Sequence, residues 1–270
     1  MPRNPKTDPL NLAYSAIDRE YSGESAHTRR QLVGAAALGL GGLAAASVPG
    51  VAAAASKRRG QQMNDPQTIL NIAATAEVLA TIVNTVGPEK VKLDRTTKRN
   101  VKAAAYEELI HYNTLDSLGG EPVSKMIWVP NAVFKNKRSL LETLEVGDQI
   151  FINAYLIATT VFGDAGDGET ARYTAEFMGV EAVHRALARQ SLGKLGNDRA
   201  FMKYDDVEMA KGAPNFGTPG FTDVTVAAEQ LQDAGFGFGE EGAKPGKFYD
   251  FDEVKDRTPS PNAVNQLSVD

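Results

Sequence analysis

Between residues 65 and 192, apolar positions recur every three or four residues in four long segments separated by turn-forming residues. That spacing predicts four amphipathic helices. The first opens on Asp65-Pro66, a capping side chain followed by proline in the first turn, and is expected over 66–86, ending at Gly87-Pro88. Its apolar positions are Ile69, Ile72, Ala73, Ala76, Leu79, Ala80 and Val83. The second is expected over 94–118, before Gly119-Gly120; the third over 139–162; the fourth over 168–192, after the short loop 163–167. Segment 121–137, with Pro122, Trp128 and Pro130, reads as a long irregular crossover. Short, long and short connections imply two antiparallel helical hairpins joined across a bundle. The expected fold class is therefore all-α, a four-helix bundle over 65–193 with one long crossover.

Beyond Gly193 the helical period weakens. Residues 201–209 and 222–233 have the character of short helices, set among stretches rich in glycine and proline such as Gly235-Phe236-Gly237-Phe238-Gly239 and Thr258-Pro259-Ser260-Pro261. This extension, 194–270, is expected to wrap the bundle in part and to end in disorder.

The start of the chain has a different pattern. A polar stretch leads to Arg29-Arg30, and an uncharged run of mostly Ala, Gly, Leu and Val follows over 32–55, ending in small residues suited to cleavage. This layout over 1–55 resembles a twin-arginine (Tat) export signal. The expectation is export by the Tat translocase to the periplasm, cell envelope or exterior, with 56–64 as a polar linker. An uncleaved membrane anchor is the competing reading, since the run is long enough to span a bilayer.

Composition narrows the chemistry. The 270 residues contain no cysteine, which excludes disulfides, thiolate zinc sites, iron–sulfur clusters and thiol nucleophiles. The net charge of −5, without a basic patch interleaved with aromatics, argues against a nucleic-acid partner. The sequence leaves open a homo-oligomer.

Only three histidines occur, and two stand in the same pattern: Glu108-Leu109-Ile110-His111 and Glu181-Ala182-Val183-His184. On a helix, positions i and i+3 share a face, so each motif aims a carboxylate and an imidazole together. Carboxylate-bridged two-metal bundles take a Glu-x-x-His from each of two helices and one further Glu from each of the other two. Glu77, set among apolar neighbours in the first helix, is the expected third contributor. The step from Glu77 to Glu108 is 31 positions (108 − 77), and the same step back from Glu181 reaches Ile150 (181 − 31). The adjacent Gln149 is therefore taken as the fourth ligand, with Glu145 as the alternative; Asn153 continues this polar stripe. Gln149 carries no charge, so a weaker or single-ion site is one consequence. Glu107 is expected on a solvated face, Tyr106, Tyr112 and Tyr155 as ordinary core aromatics, and His27 has no role.

At these residues the chain resembles the bacterial and fungal ferritin-like family that includes desiccation-related proteins. The resemblance runs over about 65–192, through Ile69-Leu70-Asn71-Ile72-Ala73 leading to Glu77, Glu108 to His111 continuing to Leu115-Asp116-Ser117-Leu118-Gly119-Gly120-Glu121-Pro122-Val123, and Val180 to His184. Family members often carry a second acid soon after the first in helix one and a Glu before an Ala-Tyr pair in helix three. Here Ala80 and Gln149, ahead of Ala154-Tyr155, stand at those places.

The resemblance implies fold and site position more firmly than a reaction. Two functions compete. The first is an exported oxidase, or peroxide- or iron-detoxifying protein, holding one or two Fe or Mn ions. The second is a non-enzymatic stress or envelope protein whose metal site is degenerate. Iron storage in a large cage is a weaker third.

Overall fold

The computed structural model describes residues 64–197, 202–203 and 218–259. Four long helices dominate it: α1 (Pro66–Lys90), α2 (Arg95–Ser117), α3 (Lys137–Asp164) and α4 (Gly168–Ser191). Five short strands are β1 (Met126–Pro130), β2 (Met202–Lys203), β3 (Thr218–Pro219), β4 (Gly237–Phe238) and β5 (Gly246–Asp250), and two short helices are α5 (Thr225–Asp233) and α6 (Phe251–Lys255). The protein is thus mostly helical with a small sheet.

Each long helix starts on a side chain that satisfies an orphan backbone donor. Asp65, Asp94, Asn136 and Asp167 accept from the N–H groups of Thr68, Thr97, Ser139 and Thr170, three residues on. α1 packs on α2 and α3 on α4, across short connections that make each pair an antiparallel hairpin, and the hairpins meet along α1–α3 and α2–α4. α1 is the innermost element. Ala74, Val78, Ile82 and Val86 are fully buried, and α5 and α6 cover what α2 and α3 leave. A helix enclosed on all sides is apolar nearly all round, so any carboxylate it carries, such as Glu77, faces other side chains and no water.

α1 does not stop at Gly87-Pro88 as the sequence suggests. It continues to Lys90, where the Val91 N–H closes on the Gly87 carbonyl at 2.9 Å. Pro88 costs the helix only one donor so close to its end. Gly87 has a packing role: a Cβ there would lie 2.8 Å from Leu140 Cδ2, so glycine lets α1 and α3 approach.

The crossover is more ordered than expected. β1, followed by a 3-10 turn (Asn131–Phe134), is the middle strand of an antiparallel sheet with β4 and β5 on either side. Trp128 sits opposite Phe248, with ring centroids 5.1 Å apart, while Ile127 and Val129 point into the core. The extension therefore supplies both partner strands. It also lays α5 on α1 and α3 and α6 on α1, where Phe251 is fully buried against Tyr112, 4.6 Å between centroids. The expected wrapping is seen in these elements. Of the helix expected over 201–209, Met202–Lys203 instead form β2, which pairs in parallel with β3. The remainder of that stretch, the last residues from 260 and residues 1–63, on which the export-signal expectation with Arg29 and Arg30 falls, lie outside the described residues.

Candidate metal centre

The Glu-x-x-His motifs of α2 and α4 face each other across the seam where those helices meet, and α1 adds Glu77 from the side. Glu77, Glu108 and Glu181 are fully buried, and His111 and His184 nearly so. One donor atom from each of Glu77, Glu108, His111 and Glu181 lies within 4.8 Å of all the others. His111 Nδ1 stands 3.4 Å from Glu77 Oε1, 3.4 Å from Glu108 Oε2 and 3.3 Å from Glu181 Oε1, three carboxylates from three helices.

His184 forms a second lobe. Its Nδ1 lies 3.2 Å from Glu108 Oε1 and 3.6 Å from Glu181 Oε2. Glu108 and Glu181 thus each direct one oxygen to His111 and the other to His184. Two imidazoles are thus joined through two shared carboxylates, and the Glu77, Glu108, His111 and Glu181 donors could hold a metal ion.

Several groups hold this layout in place. Tyr155, from α3, donates its hydroxyl to Glu77 Oε1. Asn84 Nδ2 lies 3.5 Å from Glu108 Oε1. Glu107 Oε2 meets His184 Nε2 at 2.6 Å, which leaves Nδ1 to face the cluster. Glu107 is therefore not simply a solvated residue of α2, although it is partly exposed. The His111 ring is steadied by Phe177, 4.2 Å between centroids.

On α3 the residue buried beside Glu181, His184 and Glu108 is Asp148, one position before Gln149. Consecutive helical residues diverge by about 100°, so α3 cannot turn both to one point. Gln149 is half-buried. Glu145 is engaged elsewhere: it pairs with Arg189 and, at 2.5 Å, with Lys194 at the end of α4. Asn153, on the far side of α3, exchanges hydrogen bonds with the backbone of Phe221, at 2.7 and 2.9 Å. Two members of the polar stripe of α3, Glu145 and Asn153, are thereby engaged away from the cluster. The hairpin step explains why spacing missed Asp148: it is 33 positions before Glu181 (181 − 148), against 31 in the first hairpin. An aspartate two positions before the extrapolated Ile150 was the available signal.

The electrostatics follow from burial. Burial pushes the Glu77 carboxyl up to about 7, against the opposing pull of His111. Burial likewise raises Asp148 well above the usual carboxylate range, reinforced by the charge of Glu181. Burial alone would lower both histidines, but the carboxylates outweigh it: Glu77 first for His111 and Glu108 first for His184, so both lie well above the ordinary imidazole value. Burial and the Glu77 charge keep Tyr155 protonated, as its donated hydrogen bond requires.

The donor set fits divalent cations. Glu77 Oε2, Glu108 Oε2, both Glu181 carboxylate oxygens, Asp148 Oδ2 and the Nδ1 atoms of both histidines are buried with no hydrogen-bond partner. Orphaned buried acceptors on this scale are unusual in a native interior. Donors bound at about 2.1 Å around a tetrahedral ion sit roughly 3.4 Å apart, the spacing found around His111. Charge points the same way: the carboxyl groups of Glu77, Glu108, Glu181 and Asp148 outnumber the buried Arg185 guanidinium that acts on Asp148, and without further cations such a buried excess is costly. Comparison of the chain with protein-family models, curated proteins and solved structures finds no match, so the assignment rests on this geometry.

Proposed function

We propose that the protein holds two Fe or Mn ions between its helices and serves as an exported oxidase or as a peroxide- or iron-detoxifying protein. The observation that carries this reading is the split of Glu108 and Glu181, each sharing its two oxygens between His111 and His184. Glu77, Glu108, His111 and Glu181 would hold the metal, with His184 and Asp148 extending the donor set beside Glu108 and Glu181. When bound, such a pair supplies one-electron chemistry toward dioxygen or peroxide. The chain's own part is to position and to exclude: Tyr155 fixes Glu77, Glu107 fixes His184, and enclosure by four helices keeps bulk water away.

The same reading takes the two hairpins as a ferritin-like four-helix bundle whose long crossover carries β1, and takes 1–55 as the Tat signal. Asp148 supports it over a degenerate site, because it adds a buried carboxyl next to Gln149 on the cluster's side of α3. The test is metal analysis of protein loaded with Fe(II) or Mn(II), followed by Fe(II) oxidation. Bound metal and oxidation that both vanish in His111→Ala/His184→Ala support the proposal; an absence of bound metal in the wild type removes it.

A further inference from the structure

α1 and α3 do not close on each other along their whole seam. Two cavities lie end to end between them, of about 290 and 360 Å³, each within or near the range of small-molecule sites. α5 roofs the first, Leu231 at its end with Ala234 and Phe236 covers the second, and Phe151 and Leu231 stand at their junction, lining both. The walls are mainly aliphatic. Along α1 the trough runs from Ile69 to Asn84, 15 positions or about 22 Å of helix.

The trough runs beside the metal centre. Tyr155, the donor to Glu77, lines the first cavity; Asn84 and Asp148 line the second. Asp148 is 4 % exposed, and its Oδ2 has no hydrogen-bond partner. At the outer end of the second cavity stands Lys244, whose ammonium donates to the Ala234 carbonyl at 2.8 Å and pairs with no carboxylate among the described residues. Of the acidic groups, Glu142 is engaged by Arg138 at 2.9 Å, Asp148 lies on the side of the metal centre, and Glu240 lines the first cavity, away from Lys244.

We infer that this trough binds a single-chain amphiphile, a long-chain fatty acid, with its alkyl chain between α1 and α3 and its carboxylate at Lys244. The hydrocarbon core of a bilayer, about 30 Å thick, is two acyl chains deep, so one chain needs roughly 15 Å and the trough accommodates it with its head group. The inference stands on cavity shape and the free cation, so it does not require the metal reading. If both hold, the chain passes alongside the centre on its Asp148 side.

Calorimetric titration of the full chain with saturated fatty acids from octanoate to hexadecanoate, kept below their micelle concentrations, tests it. One molecule should bind per chain, tightening by about fourfold per added methylene until the trough is full. Gly147 lines the second cavity, and a Cβ there would meet nothing within 4 Å, so Gly147→Phe should plug it without disturbing the fold. Ala228→Phe, in the α5 roof, plugs the first. Each should weaken hexadecanoate at least tenfold while metal content stays at the wild-type level. Lys244→Met should weaken the acid but not the matching alcohol. Absence of saturable binding, or hexadecanoate binding indifferent to both plugs, overturns the inference; loss of metal with fatty-acid binding intact counts only against the metal reading.

Discussion

Glu107 Oε2 and His184 Nε2 meet at 2.6 Å across the α2–α4 seam, so the carboxylate beside a cluster ligand on one helix orients the imidazole of the other. The contact holds Glu107 below the ordinary carboxylate range, first through its hydrogen bond to His184. A carboxylate behind a ligating imidazole fixes the ring and raises its basicity. Glu107→Gln should therefore weaken metal binding by about 10- to 100-fold. A chelator competition titration measures it, and an affinity equal to the wild type would mean that the contact is incidental.

Asp148 and Gln149 can be separated directly. Asp148→Asn keeps the size but removes one of the four charges, and metal content should fall from two ions per chain toward one. Gln149→Leu should leave it at two. Elemental analysis of the two variants decides, and the opposite pattern would return the fourth ligand to Gln149.

Metal binding should depend on pH through the same groups. In the metal-free protein Glu77 holds its proton up to about 7, and both histidines hold theirs well above the ordinary value. Metal must displace those protons, so affinity rises with pH. The metal-free fold shows the opposite trend. Its Glu77 is raised above the unfolded carboxylate, so between about pH 4.5 and 7 the folded state keeps a proton the unfolded state has lost, and stability falls as pH rises. The raised histidines act the same way: their stabilisation is complete below about pH 6.5 and is lost as pH climbs through their higher folded values. The rise in Tm on adding Mn(II) should therefore be larger at pH 8 than at pH 6. Equal increments would contradict it.

Two glycines should respond in opposite senses to alanine. At Gly246, in β5, a Cβ would lie 2.4 Å from the Val129 carbonyl oxygen, a backbone atom of the paired strand. Gly246→Ala should cost about 1–3 kcal/mol. At Gly147, inside α3, a Cβ meets nothing, and alanine should stabilise by up to about 1 kcal/mol through helix propensity. Denaturant unfolding of both variants reads the difference.

What the sequence disclosed was local. Asp65 announced a helix start because a capping side chain acts within three residues. The repeated Glu-x-x-His pointed to His111 and His184 because one helical turn sets that geometry. Contacts between distant segments were not legible. The strand nature of Met126–Pro130 depends on β5, more than a hundred residues later, and Glu107 reaches His184 only once α2 and α4 are docked. Asp148 was missed because the hairpins differ in length, so an extrapolated step points to a helix but not to one of its faces. α1 passed through Gly87-Pro88, both buried, because a proline so near the helix end removes only one donor and Gly87 is needed for close packing against Leu140.

The most direct test of the account is the metal content of the full chain after loading with Fe(II) or Mn(II) and removal of excess by gel filtration. Two ions per chain in the wild type, and none in His111→Ala/His184→Ala, is the predicted result. A wild-type protein that retains no metal while remaining folded would contradict it, and would make the buried carboxylates and imidazoles a proton-sharing network.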